Sequence, residues 1–317
     1  MTDNIIFSLN ATMPIFLMMV VGYILKKISF LDEKTTNVIN KLVFKIFLPS
    51  LLFMDMAESD LNSIWDTQMV LFCFVATIIS IAVSFLISLI HKNPYERGEF
   101  IQASFRSAAA TLGIAFMTNI YEDATMIALM IVGSVPLYNV ASVVILSLTS
   151  PENEQMSGKK EIILKTVKST VTNPIILSIF AGMIWSFLKF PQPVIMTKSL
   201  IYLGNMASPL ALIALGATFE FSDAKEKKWQ ISEIIFLKLF LFCMIFLPAA
   251  VSMGFKNDKL VAILIMLGSA TTSSSFIMAR NLGHRGIITA GAVMFTTLFS
   301  SFTLAIWLFI LKSLGLI

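Results

Sequence analysis

The sequence predicts an all-α polytopic membrane protein with ten transmembrane helices, arranged as two inverted five-helix repeats. Composition is the first observation behind this prediction: 57% of the residues are hydrophobic, 13% are charged and the mean hydropathy is +0.85. A soluble domain carries about a quarter charged residues. The second observation is a series of long apolar stretches, and the third is a pattern that recurs at a fixed distance along the chain.

Ten apolar stretches are long enough to cross a bilayer, which takes about 20 helical residues. They cover residues 5–25, 37–54, 68–90, 101–119, 124–148, 173–188, 196–219, 232–253, 260–280 and 287–312. If the N-terminus lies outside, fourteen of the 23 Lys and Arg residues fall in inner loops. Because positive charge favours the cytoplasmic side, we predict a cytoplasmic-membrane protein with both termini outside.

The two halves of the chain repeat at an offset of 160 residues. This offset pairs Pro14 with Pro174, Pro49 with Pro209, and glycine at 22 with glycine at 182. Five spans in each half give the second copy the opposite orientation, as in inverted-repeat secondary transporters. We therefore divide the chain into a first repeat at 1–149, a central cytoplasmic loop at 150–170 and a second repeat at 171–317. The four prolines are predicted sites of helix breaks or hinges.

The segment 267–280 has an unusual run of small hydroxyl residues inside an apolar span. The run includes Ser269, Thr271, Thr272, Ser273, Ser274 and Ser275. Helices break at membrane depth only where they face protein or a water-filled cavity, so this run predicts a broken helix lining a site. The segment 104–119, with Gly113, is its counterpart in the first half. The alternative interpretation is a face of small residues that packs helices together.

Charge within the spans is basic, and we find no carboxylate near the centre of any span. Arg106, Lys238 and Arg280 are the candidates for charge or gating roles, with snorkelling to the interface as the alternative. Helix N-termini attract anions, so broken helices without buried acids favour an anionic or neutral solute over a metal cation. Two loop histidines predict no metal site, and no phosphate-binding loop, cofactor motif or nucleic-acid partner is indicated.

Four segments resemble one known family, the auxin efflux carriers, which include PIN-FORMED auxin exporters and bacterial malate-permease-like proteins. They are LVFKIFLPSLLF at 42–53, TNPII at 172–176, SPLALIALGA at 208–217 and FIMAR at 276–280. The resemblance implies ten helices in two inverted repeats, with the fourth and ninth helices broken and crossing near the midplane. It also implies export or exchange of organic anions, often by a homodimer.

The sequence departs from the family pattern at the crossover. The usual prolines correspond to Ala115 and Ser275, and the usual asparagine corresponds to Ala108. Gly113 and the Thr/Ser run are therefore expected to supply the breaks. Asn173 matches the family's Asn-Pro opening of the sixth helix and is kept as a binding candidate.

The predicted function is secondary active transport of small organic anions, such as malate or related carboxylates, by alternating access. Proton coupling and a homodimer are left open, and the protein is not expected to be an enzyme. The main alternative is a cation/proton antiporter, which would need the buried acids that the sequence lacks. The predicted substrate-binding residues are Ala108, Ala110, Thr111, Gly113, Asn173, Ser269, Thr271, Thr272, Ser273, Ser274 and Ser275.

Overall fold

The structure is a computed structural model that describes residues 2–58, 65–121, 125–155 and 158–317. Within these helical ranges it leaves out the side chains at 2–9, 11, 111, 115, 119, 125, 155 and 159. The described ranges contain helices and connecting turns but no β-strand. This agrees with the predicted all-α class, and the apolar stretches found in the sequence all lie on helices.

Within the described ranges the chain forms fourteen helices, six of them in its first half. They are α1 Thr2–Lys27, α2 Glu33–Ala57, α3 Thr67–Ser88, α4 Pro94–Phe105, α5 Ala109–Tyr121 and α6 Thr125–Leu148. The second half forms eight more. They are α7 Lys159–Val171, α8 Pro174–Phe187, α9 Val194–Thr218, α10 Phe221–Glu226, α11 Lys228–Ser252, α12 Asn257–Gly268, α13 Ser273–Asn281 and α14 Ile287–Ser313.

Length and composition identify six described helices that could each cross a membrane alone, namely α2, α3, α6 (with its continuation to Glu154), α9, α11 and α14. The number rises to eight if each bent pair is one span. In these pairs α7 meets α8 at 46° and α12 meets α13 at 41°. Apolar side chains face outward along several of these helices, as expected where lipid is the solvent.

Two interrupted helices contact each other at their interruptions. One interruption, at 106–108, separates α4 from α5, and the other, at 269–272, separates α12 from α13. The backbone N–H of Ala108 donates to the carbonyl of Ala270 over 2.8 Å, and the hydroxyls of Ser107 and Ser269 share a hydrogen bond. Each interruption therefore supplies a hydrogen-bond partner to a backbone group of the other, because backbone polar groups in a membrane interior must be paired.

The first helix break lies outside the position that the sequence predicted, whereas the second, at 269–272, lies within the predicted Thr/Ser run. Gly113 and Ala115 were expected to interrupt the fourth span, but α5 runs continuously through both. A Cβ added at Gly113 would lie 2.8 Å from Ile127 Cδ1, so this glycine allows α5 to approach α6 closely. Ser275 lies inside α13, three residues after the second interruption. No proline or glycine is needed at 106–108, because the facing interruption supplies the hydrogen-bond partners.

Three of the four predicted proline breaks lie beside irregular backbone. Pro49 follows a π turn at Val43–Phe47, Pro174 is the first residue of α8, and Pro209 follows a local interruption at Met206 in α9. Pro14 lies within the uninterrupted α1, so the predicted break there is wrong. A proline removes one backbone hydrogen bond, which the flanking turns of a 26-residue helix tolerate without ending.

The stretch predicted as a central loop, 150–170, is largely helical. It begins with a 3₁₀ turn at Pro151–Gln155 and continues into α7. Lysines and glutamate alternate with apolar residues in α7, and its Ile163, Leu164 and Val167 side chains are exposed. An exposed helix with both charged and apolar side chains is typical of the membrane surface, where the apolar side chains contact the acyl boundary. Low hydropathy alone made this segment look like a loop.

Two glycines allow close contacts between helices of the two halves. Gly22 on α1 packs against the backbone carbonyl of Ile213 on α9, and Gly182 on α8 packs against the backbone carbonyl of Phe53 on α2. Small residues let helices approach until backbone meets backbone, which is how helices associate in membranes. Both the two glycines and the two carbonyl residues are 160 positions apart in the chain.

Candidate functional site

A cavity of about 580 Å³ lies against the two interruptions and is bounded also by α2, α6 and α9. We call it the central cavity. Its wall is mostly apolar, including Leu52, Ile131 and Val135. The polar members of the wall are Asp55, Arg106, Ser107, Tyr138, Asn139, Asn205, Ser208, Thr272, Ser273 and Ser274. A concave, mainly apolar site with a few converging polar groups is typical of small-molecule binding.

Arg106 is the cation of this wall, and only 3% of it is exposed. It follows the last residue of α4 in extended backbone, which directs it away from the helix axis. Its Nη2 donates to Asn139 Oδ1 over 3.2 Å and to Ser274 Oγ over 2.8 Å, while Nη1 contacts Met278 Sδ. These partners are neutral, so they fix the position of the guanidinium without cancelling its charge.

Helices α5 and α13 both begin at the wall of the central cavity. Ala108 and Ala110 line it at the start of α5, and Thr272, Ser273 and Ser274 line it at the start of α13. The first N–H groups of a helix have no partner within the helix. Thr272, which precedes α13, does not cap it with its side chain. These two helix ends therefore present positive partial charge to the cavity beside Arg106.

The C-terminal ends of α4 and α12, which precede the two interruptions, contact a buried lysine. Lys238, on a π turn of α11, is 1% exposed. Its Nζ donates to the carbonyl of Phe105 at the end of α4 over 3.4 Å. It also donates to the carbonyl of Met266, near the end of α12, over 3.3 Å. The prediction that Lys238 carries a charge role stays open, but its side chain does not line the central cavity.

Threonine and glutamine side chains tie the interruptions to neighbouring helices. Thr271 Oγ1 donates to the carbonyl of Ala103 over 2.7 Å, and the N–H of Thr271 donates to Thr296 Oγ1 over 3.0 Å. Gln102 Nε2 donates to the carbonyl of Ser275 over 3.0 Å. These contacts hold the break on α12–α13 against α4 and α14, away from the cavity surface.

We expect Thr271→Val to destabilise the protein without altering the cavity wall. Valine keeps the shape but leaves the Ala103 carbonyl, near the C-terminal end of α4, without its hydrogen bond. Such a loss costs roughly 1–2 kcal/mol, or a fall in Tm of about 3–6 °C. Thr297→Val is the matched control, since Thr297 is also buried but donates only within its own helix to Val293. Equal Tm values for the two variants would contradict this role.

The structure brings part of the predicted binding set together. Ala108, Ala110, Thr272, Ser273 and Ser274 line the central cavity, together with Arg106, which was predicted as a charge or gating residue. Gly113, Ser269, Thr271 and Ser275 do not line it, and the side chain of Thr111 lies outside those that the structure describes. Asn173 is away from the cavity, where its Oδ1 accepts the N–H of Ile175 and caps α8.

Several cavity residues were missed from the sequence. Asp55 directly follows the predicted span at 37–54, yet it lines the central cavity. Asn139 is a fully buried amide in an otherwise apolar helix, and that contrast was a usable signal. Tyr138, Asn205 and Ser208 offered no comparable signal.

A second acid is buried where the sequence predicted a loop. Glu99 lies within α4 at 4% exposure. Its carboxylate accepts the N–H of Gly286 over 2.8 Å and the N–H of Thr289 over 3.1 Å, at the start of α14. An acid at a helix N-terminus is stabilised by the free N–H groups, so this burial has a structural cause. The spans predicted from the sequence left Glu99 in a loop before 101–119, whereas the structure places it in α4.

Arg280 lies at a second cavity of about 280 Å³, at the far end of α13. Its Nη2 donates to Asn37 Oδ1 over 3.3 Å and its Nη1 to the carbonyl of Arg285 over 3.1 Å. Nearby, Lys26 Nζ is 2.5 Å from Glu220 Oε1, and this hydrogen bond lowers the pKa of Glu220 below its ordinary value. Within the described part of the chain no three metal-ligating side chains cluster.

Comparison with known proteins identifies the family. The profile of a family described as membrane transport protein matches residues 7–308. The chain belongs to this membrane transport protein family. It is the family that the sequence resemblance predicted, so that prediction is confirmed. Membership and the long apolar helices together make the chain a multi-pass membrane protein.

Two similar proteins carry transporter names. One, from Rhizobium meliloti, is named "Putative malonate transporter" and is 23% identical over 313 residues, which cover 95% of each chain. The other, from Methanothermobacter thermautotrophicus, is named "Uncharacterized transporter" and is 21% identical over 220 residues, which cover 68% of each chain.

Proposed function

We propose that the protein is a secondary active transporter that moves small organic anions by alternating access at the central cavity. The observation that carries this proposal is the meeting of Arg106 with the starts of α5 and α13 at one wall. A guanidinium and two helix N-termini all favour negative charge at the same place. Family membership supports transport, and no step of the proposal requires a cofactor.

The charge arrangement distinguishes an anion site from a cation site. The two interruptions create two helix N-termini, which carry positive partial charge, and two helix C-termini, which carry negative partial charge. Lys238 donates to carbonyls at the two C-termini. The two N-termini, those of α5 and α13, border the central cavity beside Arg106. The guanidinium of Arg106 donates to the neutral side chains of Asn139 and Ser274. A carboxylate entering the cavity would replace lost hydration with N–H donors of both helices and the fork of Arg106.

Short dicarboxylates are the substrate class that we propose. Malonate and malate carry two carboxylates on a short carbon chain, and the cavity wall offers two helix N-termini and one guanidinium. The name of the Rhizobium meliloti relative supports the same class. Hydroxyls at Ser107, Ser208 and Ser273 could bond additional oxygen atoms of such a substrate, and the apolar wall would contact its carbon chain.

We further propose ten membrane spans in two inverted repeats, 1–149 and 171–317, joined by residues 150–170 with both termini outside. The paired glycine contacts support this arrangement, because Gly22 with Ile213 and Gly182 with Phe53 differ by the same 160 positions. The two interrupted helices that bond to each other at the centre support it as well. Homodimer formation follows from the family resemblance and is part of the proposal.

Cation/proton antiport is the alternative function, and one observation favours it. Asp55 lines the same cavity as Arg106, so the cavity holds a carboxylate that an exchange of cations or protons would use. In our proposal Asp55 has a different part: it is the candidate proton carrier in an anion–proton symport. Exchange of an anion with and without a pH gradient separates these two functions.

Counterflow in proteoliposomes tests the proposal. Vesicles loaded with one unlabelled acid are diluted into the same acid bearing a radiolabel, across a panel of malonate, malate, succinate, lactate and an indole acid. We expect saturable exchange of a short dicarboxylate, and Asp55→Asn should remove any stimulation by a pH gradient. Sodium or proton flux without exchange of any acid would contradict anion transport and support the antiporter.

A further inference from the structure

The C-terminal ends of two half-helices converge beside the central cavity and leave carbonyl groups to be satisfied. Phe105 is the last residue of α4, and Met266 is among the last residues of α12. The last four carbonyls of a helix have no partner within that helix. They also carry the negative end of the helix dipole. Two such ends brought together in a membrane interior make a site that attracts a cation.

The Lys238 ammonium lies at this site. Its Nζ donates to the carbonyls of Phe105 and Met266 at 3.4 and 3.3 Å, and its side chain is almost entirely buried. A buried cation is costly unless it is paired or coordinated, and these two carbonyls are its hydrogen-bond acceptors in the structure. The lysine comes from a third helix, α11, and so ties both half-helices to a helix that is not interrupted.

We infer that Lys238 is a built-in cation that occupies a monovalent-cation position formed by the ends of α4 and α12. In transporters with discontinuous helices, unwound carbonyls and half-helix C-termini coordinate Na⁺ or a proton. Here the side chain fills that position permanently. The positive charge that stabilises the two negative helix ends belongs to the Lys238 side chain, so the protein requires no Na⁺ from solution at this position.

Removing the lysine side chain would empty this position and so tests the inference. Lys238→Ala removes the ammonium together with most of its volume and leaves the two carbonyls facing a small polar space. A cation of suitable size should then enter and restore the lost contacts. Lys238→Met removes the charge but retains most of the side-chain volume, so the same space is filled and no cation should enter.

Thermal unfolding of the purified protein provides the test, because it does not depend on which substrate is transported. We would measure Tm in chloride salts of Na⁺, K⁺, NH₄⁺, methylammonium and choline. Both Lys238 variants should unfold at a Tm about 5–10 °C below that of the unmodified protein in choline. Na⁺ or a small ammonium ion should raise the Tm of Lys238→Ala saturably, and the unmodified protein and Lys238→Met should not respond.

Lys45 provides the matched control, since it also lies on a π turn within a long helix but its side chain is exposed. Lys45→Ala should keep its Tm and show no cation response. The inference is overturned if no cation stabilises Lys238→Ala, if every cation stabilises all four proteins equally, or if both Lys238 variants are as stable as the parent. If Lys238→Ala folds in no salt while Lys238→Met folds normally, the inference is also overturned.

A flux measurement extends the test and rests on the proposed transport function. Counterflow by the unmodified protein should proceed at the same rate in Na⁺ and in choline. Counterflow by Lys238→Ala should depend on the cation that raises its Tm. A Tm response without any flux would leave the cation site standing and contradict the transport proposal, so the two failures are distinguishable.

Discussion

Replacing Arg106 with glutamine is expected to reduce dicarboxylate exchange by about a hundredfold or more. Glutamine retains some hydrogen bonding but removes the charge that the cavity wall holds against Asn139 and Ser274. Hydrogen bonds to a charged group contribute about 1.5–3 kcal/mol each, and a guanidinium offers a carboxylate two of them. The initial rate of counterflow, measured well below saturation, would show the loss.

The charge and the geometry of Arg106 can be separated. Arg106→Lys keeps the charge and loses the planar fork, so we expect an intermediate rate, and Tm measurements establish that each variant is folded. Lys198→Gln serves as a control, because Lys198 is an exposed cation on α9 outside the central cavity. Unchanged exchange by a folded Arg106→Gln variant would contradict the proposed anion site.

The helices could be predicted from the sequence because hydropathy is a local property. The prediction for residues 68–90 corresponds to α3 Thr67–Ser88, and the prediction for 287–312 corresponds to α14 Ile287–Ser313. A long apolar stretch in lipid has no stable alternative to a helix, whatever its neighbours are. Local polarity misled the prediction at α7 and at the start of α4, which were taken for loops.

The first helix interruption could not be placed from local sequence, because its stability comes from residues far along the chain. The segment at 106–108 contains neither glycine nor proline, and the N–H of Ala108 is satisfied by Ala270. The offset of 160 would put its counterpart at 266–268, but the second interruption lies at 269–272. Sequence symmetry thus predicted which spans are broken, while tertiary hydrogen bonds determine the positions of the breaks.

The composition of the site was only partly accessible for a related reason. Hydropathy indicates how deep a residue lies but not which way its helix face turns. Asp55 is the third residue from the C-terminal end of α2, in the segment Leu48–Ala57. Its position beside the cavity depends on the rotation of that segment. The buried amide of Asn139 was the exception, since a polar group within an apolar helix needs a partner.

Valine at either Gly22 or Gly182 is expected to destabilise the fold severely. A Cβ at Gly182 would lie 2.6 Å from the carbonyl oxygen of Phe53, and a Cβ at Gly22 would overlap the carbonyl oxygen of Ile213. Both obstacles are backbone atoms, so the clash cannot be relieved by a change of rotamer. Overpacking a core costs about 1–3 kcal/mol and more where the backbone must move. Thermal unfolding and size-exclusion profiles in detergent would measure the loss.

Comparison of the two glycine variants tests the inverted repeat itself. If α1 on α9 and α8 on α2 are equivalent contacts, Gly22→Val and Gly182→Val should lower Tm by similar amounts. Gly158→Ala is the control, because a Cβ there meets no atom within 4 Å. A severe loss at one glycine and tolerance at the other would mean that the 160-residue pairing does not reflect equivalent packing. Equal losses would support two copies of one helix-packing unit, inserted in opposite orientations around the crossover.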